Sequence, residues 1–195
     1  MILNGAPRSG KTSIAHALQE RGAGVWVNLG VDASTESLPA RLRPGMGLRP
    51  GGERPDLEDL VVTLYAALWD SVAAYARLGL NVVVDVGVHD DYSVPRHVAR
   101  DAARRLEGSS VLVVGIRCPI SVIWKRRSES WGQGVENADE QTLVAVERWQ
   151  SAVHDTFDYD LELDTVSWSP ARCAEAIVAR LAGPPGICLA AAGSA

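Results

Sequence analysis

Short apolar runs alternate with amphipathic segments along most of the chain. The apolar runs predict five strands, over residues 1–4, 24–29, 80–85, 110–116 and 159–164. Apolar residues at helical spacing predict helices between them, over 11–21, 33–42, 56–78, 94–106, 119–129, 139–155 and 170–181. Strands that alternate with helices predict an α/β fold in three layers, with a five-stranded parallel sheet and helices on both faces.

Two of the helix starts are predicted from local signals. Asp56 precedes the longest helical pattern and has a side chain suited to an N-cap. Pro95 is predicted in the first turn of the helix over 94–106, because its fixed φ suits that position. The continuous β-branched run 82–84 predicts a central strand that is covered on both faces.

Length and composition indicate one domain. A chain of 195 residues with 47% hydrophobic content can bury a full core without disulfides or a structural metal. The domain is predicted over 1–182, and its Gly- and Pro-rich segment 43–55 is predicted to be a mobile loop. The tail 183–195 is predicted to fray or to join a subunit contact, which leaves a homo-oligomer open.

Charge and cysteine content narrow the class of protein. The formal net charge is -5 and Lys/Arg-rich runs are absent, which argues against nucleic acid or an anionic membrane as a partner. Cys118, Cys173 and Cys188 do not have metal-ligand spacing, and they predict reduced thiols in a cytoplasmic protein. No apolar run is long enough to span a bilayer, so a soluble protein is expected.

The first predicted strand leads into a glycine-rich turn of the form G-x-x-x-x-G-K-[ST]. The nucleotide-binding residues predicted from it are Gly5, Ala6, Pro7, Arg8, Ser9, Gly10, Lys11, Thr12 and Ser13. The glycines allow a turn that points backbone N–H groups into one concavity, at which the following helix aims its positive end. Lys11 is expected on the β- and γ-phosphate oxygens of a nucleotide, and Thr12 on Mg²⁺. A purely structural turn is the alternative, but the flanking strand and helix favour phosphate binding.

Polar residues follow several predicted strands, at the edge of the sheet where ligands bind. Asp32 follows the second strand and is predicted to orient an acceptor hydroxyl and take its proton, with capping of the next helix as the alternative. Asp85 ends the third strand and is predicted to hold Mg²⁺ through water and to line the acceptor site, with a plain hydrogen bond as the alternative. Asp164 and Thr165, after the fifth strand, are predicted to lie beside the nucleotide.

Three further features offer candidate chemistry. The basic run 125–127 lies in a predicted lid region, 119–138, where cations could meet the transferring phosphate; a solvated helix face is the alternative. His89 is predicted to line the acceptor pocket, although an ordinary loop histidine fits equally well. Trp69 is predicted to stack on an acceptor ring, with a place in the core as the alternative.

Several stretches together match one family of small kinases. They are Ile2-Leu3-Asn4-Gly5 with Gly10-Lys11, Gly30-Val31-Asp32 with Glu36 and Pro39, the apolar strand that closes at Asp85, 114–118, Arg126, and Val153-His154 leading to 159–165. On these stretches the chain resembles the chloramphenicol 3-O-phosphotransferases almost from end to end. The resemblance implies the P-loop fold of shikimate- and adenylate-type kinases, with Asp32 as the base and Arg126 as a catalytic lid arginine near the nucleotide phosphates. It also implies ATP or GTP with Mg²⁺, and an antibiotic whose hydroxyl group is phosphorylated and which is thereby inactivated.

The departures from that family lie on the acceptor side. Val86 stands where the family has a second acid, Ser130 and Gln133 stand where it has further lid arginines, and the segment 43–55 differs. Another acceptor is therefore an alternative, such as a nucleoside antibiotic of the capuramycin type or a sugar or nucleoside metabolite. A nucleotide-binding regulator is a third reading, but the chain has no N-K-x-D motif to support it.

Overall fold

Five parallel strands form the central sheet. The computed structural model describes residues 1–43, 54–132 and 134–183, and for 32–34 it describes the backbone. Gln133, most of the predicted mobile loop 43–55, and the tail from 184 onwards lie outside the described residues. The strands are β1 (Ile2–Asn4), β2 (Trp26–Gly30), β3 (Asn81–Val86), β4 (Val113–Arg117) and β5 (Leu161–Asp164).

The strand order is β2-β3-β1-β4-β5, and every neighbouring pair is parallel. The central strand β1 pairs with β3 on one side and with β4 on the other, so that Asn4 is in register with Val86 and with Gly115. Chain order reverses at β1, and ligands bind in sheets of this kind beyond the carboxyl end of the strand where the order reverses. The predicted fold class is confirmed, and the reversal point coincides with the predicted phosphate-binding loop.

In the described part of the chain, seven helices pack around the sheet. They are α1 (Lys11–Arg21), α2 (Val31–Glu36), α3 (Pro55–Arg77), α4 (Val98–Arg105), α5 (Ile120–Trp131), α6 (Glu140–Ala152) and α7 (Pro170–Leu181), and short 3₁₀ turns lie at Ala40–Leu42 and Val135–Asn137. Residues of α1 and α7 share one buried cluster with the sheet, and residues of α3 and α4 share another. The sheet is therefore the middle of three layers.

The strands alternate between these two clusters. Ile2 and Val84 belong to the cluster of α3 and α4, whereas Leu3 and Val83 belong to the cluster of α1 and α7. Alternate side chains of a strand point to opposite faces, so a strand with helices on both sides has apolar residues at successive positions. Each of these fully buried side chains stabilises the fold by roughly 1.5–3 kcal/mol.

Two predicted helix starts are wrong. Helix α3 begins at Pro55 with Arg54 as its N-cap, and Asp56 lies in the first turn, where its carboxylate accepts hydrogen bonds of 2.9 and 2.8 Å from the Arg54 guanidinium. Proline suits the first helical position because its fixed φ is helical and its missing N–H is not needed there. Asp56 is therefore displaced from the capping position.

Helix α4 begins at Val98, four residues later than predicted, so that Pro95 precedes it. Two carboxylates bind the backbone of the segment that precedes the helix. Glu58 accepts a hydrogen bond from the Ser93 N–H at 2.8 Å, and Asp90 accepts one from the Arg96 N–H at 3.0 Å. His97 then has a φ of 53°, outside the right-handed helical region. The helix starts only after these contacts end.

The predicted helix over 33–42 is divided. Helix α2 ends at Glu36, and a 3₁₀ turn at Ala40–Leu42 follows Pro39. A proline inside a helix would remove a hydrogen bond and clash with the preceding turn, which explains the interruption. Among the described residues, no helix combines the length and the apolar character that a membrane span requires.

Candidate active site

The glycine-rich turn 5–10 connects β1 to α1, and neither of its two glycines can be replaced without strain. A Cβ at Gly5 would lie 2.6 Å from the carbonyl oxygen of Ile116 in β4. Gly10 caps α1 with a φ of 105°, a conformation that side chains disfavour. The turn therefore presses against the sheet and delivers the N-terminus of α1 to the site, where its free N–H groups attract an anion.

A cavity of about 400 Å³ opens at this helix terminus. Its walls come from the turn and α1, from α5, and from the connection between β5 and α7, and they include Lys11, Thr12, Arg126, Thr165 and Trp168. Two larger concavities, of about 930 and 880 Å³, lie beside α4, and no residue of the turn lines them. The smaller cavity is the one that joins the predicted nucleotide residues from separate parts of the chain.

Lys11 and Thr12 converge on Asp85 at the end of β3. Lys11 is 8% exposed, and its ammonium lies 3.5 Å from Asp85 Oδ1 and donates to the Ala6 carbonyl at 3.0 Å. The Thr12 hydroxyl donates to Asp85 Oδ2 at 2.5 Å. The hydroxyl and the carboxylate are hard oxygen ligands of the kind that Mg²⁺ binds. In the described chain, no cluster of three or more His, Cys, Asp or Glu side chains could hold a metal. Mg²⁺ usually keeps several waters and binds substrate phosphates, so an ion at Thr12 and Asp85 would share its shell with both.

Arg126 lies behind the turn and bonds to it directly. Its Nη1 donates to the carbonyl oxygens of Ser9 at 3.1 Å and Arg8 at 3.2 Å and to Thr165 Oγ1 at 3.1 Å, and its Nη2 donates to the Thr165 carbonyl at 3.0 Å. A further contact of 3.4 Å joins Nη1 to Cys118 Sγ. Arg126 thus lines the predicted nucleotide cavity, and its donors also hold the turn, α5 and the β5–α7 connection together.

Replacing Arg126 with alanine should therefore lower stability as well as activity. The change leaves partly buried carbonyl oxygens of the turn without this charged donor, which costs about 1–3 kcal/mol. Thermal unfolding of Arg126→Ala should show a lower Tm than wild type. Lys125→Ala is the matched control, because Lys125 lies on the same helix, is exposed, and has a long contact of 3.9 Å with Glu129. A Tm equal to that of the control would show that the hydrogen bonds of Arg126 do not stabilise the fold.

The connection after β5 shapes one wall of the cavity. Asp164 accepts from the Val166 N–H at 2.9 Å and from the Ser167 hydroxyl at 2.8 Å, and these bonds lower the pKa of Asp164. Asp164 stabilises the turn without lining the cavity, whereas Thr165 lines it. Trp168 also lines the cavity. The sequence did not predict this residue, although its position just beyond the fifth strand could have indicated a place at the ligand-binding edge of the sheet.

The predicted acceptor residues are distributed differently. Asp32 is the second residue of α2, directly after β2, and Gly30 of β2 is in register with Asp85, so the backbone of Asp32 begins at the same sheet edge. His89 is 1% exposed and packs against the rings of Tyr92 at 4.4 Å and Trp149 at 5.9 Å. Trp69 is 0% exposed within the α3 and α4 cluster, so its ring has no open face for an acceptor.

One buried amide outside the predicted set connects the site to its surroundings. Asn4, at the end of β1, donates to the Val153 carbonyl at 2.7 Å and to the Tyr159 hydroxyl at 3.2 Å, and it accepts from the Val88 N–H at 2.8 Å. It fixes the end of α6 and the connection after β3 relative to the phosphate-binding turn. A polar residue at the end of a buried strand was the signal that could have found it.

The neighbouring His154 makes stability depend on pH. Burial, followed by the charge of Arg117, lowers the pKa of His154 from 6.5 to about 4. The native state thus favours the neutral ring. The stability that is linked to neutral His154 is complete above pH 6.5 and is lost as the pH falls towards about 4. We expect the free energy of unfolding, measured by urea titration, to fall less over this range in His154→Phe than in wild type. His16→Gln, at an exposed position of α1, should follow wild type; parallel curves for all three proteins would exclude His154 as the source.

Comparison with known proteins agrees with this arrangement. A family model described as "Chloramphenicol phosphotransferase-like protein" matches residues 1–182. The chain is 28% identical over 194 residues to "Putative O-phosphotransferase Rv2636" of Mycobacterium tuberculosis, with 86% of this chain and 75% of that protein covered.

Solved structures show the same fold. The tunicamycin resistance protein of Deinococcus radiodurans is similar with a TM-score of 0.61 and 20% identity, covering 96% of this chain and 97% of that one. A sugar kinase of Janibacter sp. has a TM-score of 0.60 and 20% identity over 93% and 92% of the two chains. Shikimate kinase of Acinetobacter baumannii, in complex with shikimate, has a TM-score of 0.59 and 12% identity over 93% and 91%. The matched span of residues 1–182 shows that the chain belongs to the chloramphenicol phosphotransferase-like family and is a phosphotransferase with a P-loop kinase fold.

Proposed function

We propose that the protein transfers the γ-phosphate of ATP or GTP to a hydroxyl group of a small-molecule antibiotic, which is thereby inactivated. The observation that carries the proposal is the convergence of Lys11 and Thr12 on Asp85 beside the N-terminus of α1. A buried ammonium, a hydroxyl and a carboxylate at a helix terminus form a site for a metal-bound polyphosphate.

The cavity of about 400 Å³ is within the size range of small-molecule sites, which supports a nucleotide at this position. Its phosphates would lie on the N–H groups of the turn and on Lys11, and its base would lie towards Trp168 in the connection after β5. Indole and guanidinium planes are surfaces on which bases stack, and both Trp168 and Arg126 line this cavity. ATP and GTP are both compatible with such stacking.

Thr12 and Asp85 would hold Mg²⁺, Asp85 through water. When bound, the ion neutralises charge on the phosphate oxygens. Lys11 stabilises the charge that develops on the β- and γ-phosphate oxygens during transfer, and it is already buried against the turn. Its orientation therefore requires little rearrangement.

Asp32 would act as the base on the acceptor side. The acceptor oxygen forms a bond to the γ-phosphorus, the bond from that phosphorus to the bridging oxygen breaks, and the nucleoside diphosphate leaves. The hydroxyl proton passes to the Asp32 carboxylate. Asp85, near the end of β3, would form the adjacent wall, and the buried His89 would support it from behind.

The choice of an antibiotic as acceptor rests on family membership and on the similarity to a tunicamycin resistance protein. Val86, which stands in place of the family's second acid, is 0% exposed in the core, and this difference favours an acceptor other than chloramphenicol. A nucleoside antibiotic of the capuramycin type fits the proposal. The second candidate is a sugar or nucleoside metabolite, which the similarity to a sugar kinase favours. A regulator without an acceptor is disfavoured because the chain belongs to a phosphotransferase family.

We further propose that the reaction occurs in the cytoplasm, with residues 1–182 as one catalytic domain. Cys118 and Cys173 are free and buried, which agrees with a reducing compartment.

The test is mass spectrometry of hydroxylated antibiotics, sugars and nucleosides after incubation with the protein, Mg²⁺, and ATP or GTP. We expect one class of acceptor to gain a single phosphate, only when both Mg²⁺ and nucleotide are present. A loss of antibacterial potency after the reaction would identify an antibiotic acceptor. Nucleotide binding without a phosphorylated product from any of the three classes would contradict the proposal.

A further inference from the structure

Arg8, in the phosphate-binding turn, has an unusual backbone conformation. Its φ is 68°, in the left-handed region, and among the described residues His97 is the other non-glycine residue with a positive φ. Glycine adopts such a φ at no steric cost, whereas a side chain is disfavoured there. A strained residue within a ligand site is a reason to look for a function of its side chain.

The Arg8 side chain reaches the end of α5. Its guanidinium lies 4.5 Å from the ring centroid of Trp131, the last residue of that helix, which is 49% exposed. Arg127 lies 5.0 Å from the same ring and 5.2 Å from the ring of Trp124. Arg8, Trp131, Arg127 and Trp124 thus form an arginine–tryptophan stack that connects the turn to the predicted lid helix.

Two positive charges meet in this stack. Arg127 is 3% exposed, and its pKa is lowered by burial and then by the charge of Arg8. No carboxylate in the described residues forms an ion pair with Arg8, and Arg8 lines the same cavity as Lys11 and Thr12. An anion in that cavity would relieve the repulsion between the two guanidinium groups.

We propose that Arg8 binds the terminal phosphate of the nucleoside triphosphate, and that it rests on Trp131 when that phosphate is absent. This inference rests on the proposed function and adds to it a residue that distinguishes triphosphate from diphosphate. When Arg8 moves to the phosphate, Trp131 loses the guanidinium on its ring. The end of α5 therefore responds to the presence of the terminal phosphate.

Arg8 suits this role better than Arg126. The Arg126 guanidinium already donates to the carbonyl oxygens of Arg8, Ser9 and Thr165, whereas the Arg8 guanidinium has a ring contact that it can exchange for a charged hydrogen bond. An arginine–phosphate hydrogen bond is charge-assisted on both sides, so the exchange is favourable. Ser130, which stands where the family has a lid arginine, donates to the Arg126 carbonyl and supplies no cation.

The test compares nucleotide binding by wild type and Arg8→Gly using calorimetry with Mg²⁺. A non-hydrolysable triphosphate should bind roughly 10- to 100-fold more weakly to Arg8→Gly, the usual effect of losing one charged hydrogen bond, while ADP binding changes little. The Tm of Arg8→Gly should not fall, because glycine relieves the backbone strain. In wild type, the triphosphate should change tryptophan emission more than ADP does, and Trp131→Phe should lose this difference while it keeps the preference for triphosphate.

A merely structural contact between Arg8 and Trp131 gives different results. The ratio of triphosphate to ADP affinity in Arg8→Gly would then stay that of wild type, and this result would overturn the role of Arg8. If wild type binds neither nucleotide, the proposed function fails and this inference fails with it. Nucleotide binding by wild type combined with an unchanged ratio in Arg8→Gly would overturn the inference alone.

Discussion

Phosphate transfer by Lys11→Ala should be roughly 100- to 1,000-fold slower than transfer by wild type, the usual effect of removing one preorganised charge from a transition state. The Lys11 ammonium lies 3.5 Å from Asp85 and is held by the Ala6 carbonyl, so it is already directed at the site of the phosphates. Its removal also leaves the Asp85 carboxylate without its neutralising charge.

The fold should tolerate this change, because the apolar contacts of α1 with the core come from Ile14, Ala15 and Leu18, which remain. The measurement is the initial rate of product formation, with circular dichroism to confirm folding. Lys125→Ala removes an exposed cation from α5 and should retain the wild-type rate. Near-normal turnover by folded Lys11→Ala would exclude the turn 5–12 as the phosphate site.

The second large effect is expected from Asp32→Asn, with transfer reduced roughly 100-fold or more. Asn keeps the size of the side chain but cannot take the acceptor proton. Nucleotide binding should be unchanged, because Asp32 follows β2 whereas the turn follows β1. A role only in supporting the first turn of α2, of which Asp32 is the second residue, predicts the opposite outcome, since Asn there would cost at most about 1 kcal/mol of stability and leave transfer intact.

Calorimetric titration with a non-hydrolysable nucleotide and a transfer assay on the same preparation separate these two roles. Wild-type nucleotide affinity with lost transfer supports the base. Asp158→Asn is the control, because it makes the same chemical change at an exposed position before β5. If Asp32→Asn transfers phosphate as fast as that control, the base must be sought elsewhere.

The regular part of the fold could be predicted because its signals are local. The buried runs of β3 and β4 and the spacing of apolar residues in α3 and α7 require no knowledge of the tertiary structure. The phosphate-binding turn could be predicted as well, since the glycines that permit the turn and the lysine that binds phosphate lie within one short motif. The resemblance to a kinase family added the P-loop fold, which the sheet topology and the solved kinase structures confirm.

The parts that were missed depend on contacts between distant residues. The start of α4 was wrong because Glu58, which lies 35 positions from Ser93 in the chain, binds the backbone ahead of that helix. The bracing contacts of Arg126 could not be foreseen for the same reason, since the Thr165 carbonyl lies 39 positions away. The six tryptophans look alike in a sequence, and only packing separates the buried Trp69 from Trp168 in the cavity wall.

The bonding of Asn4 has a consequence for the chemical lifetime of the protein. Asn4 precedes Gly5, and an Asn-Gly pair is prone to attack of the glycine nitrogen on the asparagine amide, which converts the residue to aspartate. In the folded chain the Gly5 N–H donates to the Val86 carbonyl at 3.3 Å, and both polar atoms of the Asn4 amide are hydrogen-bonded. Folding therefore protects the pair, and a molecule that ages while unfolded acquires a carboxylate that cannot make the hydrogen bond from Asn4 to the Val153 carbonyl.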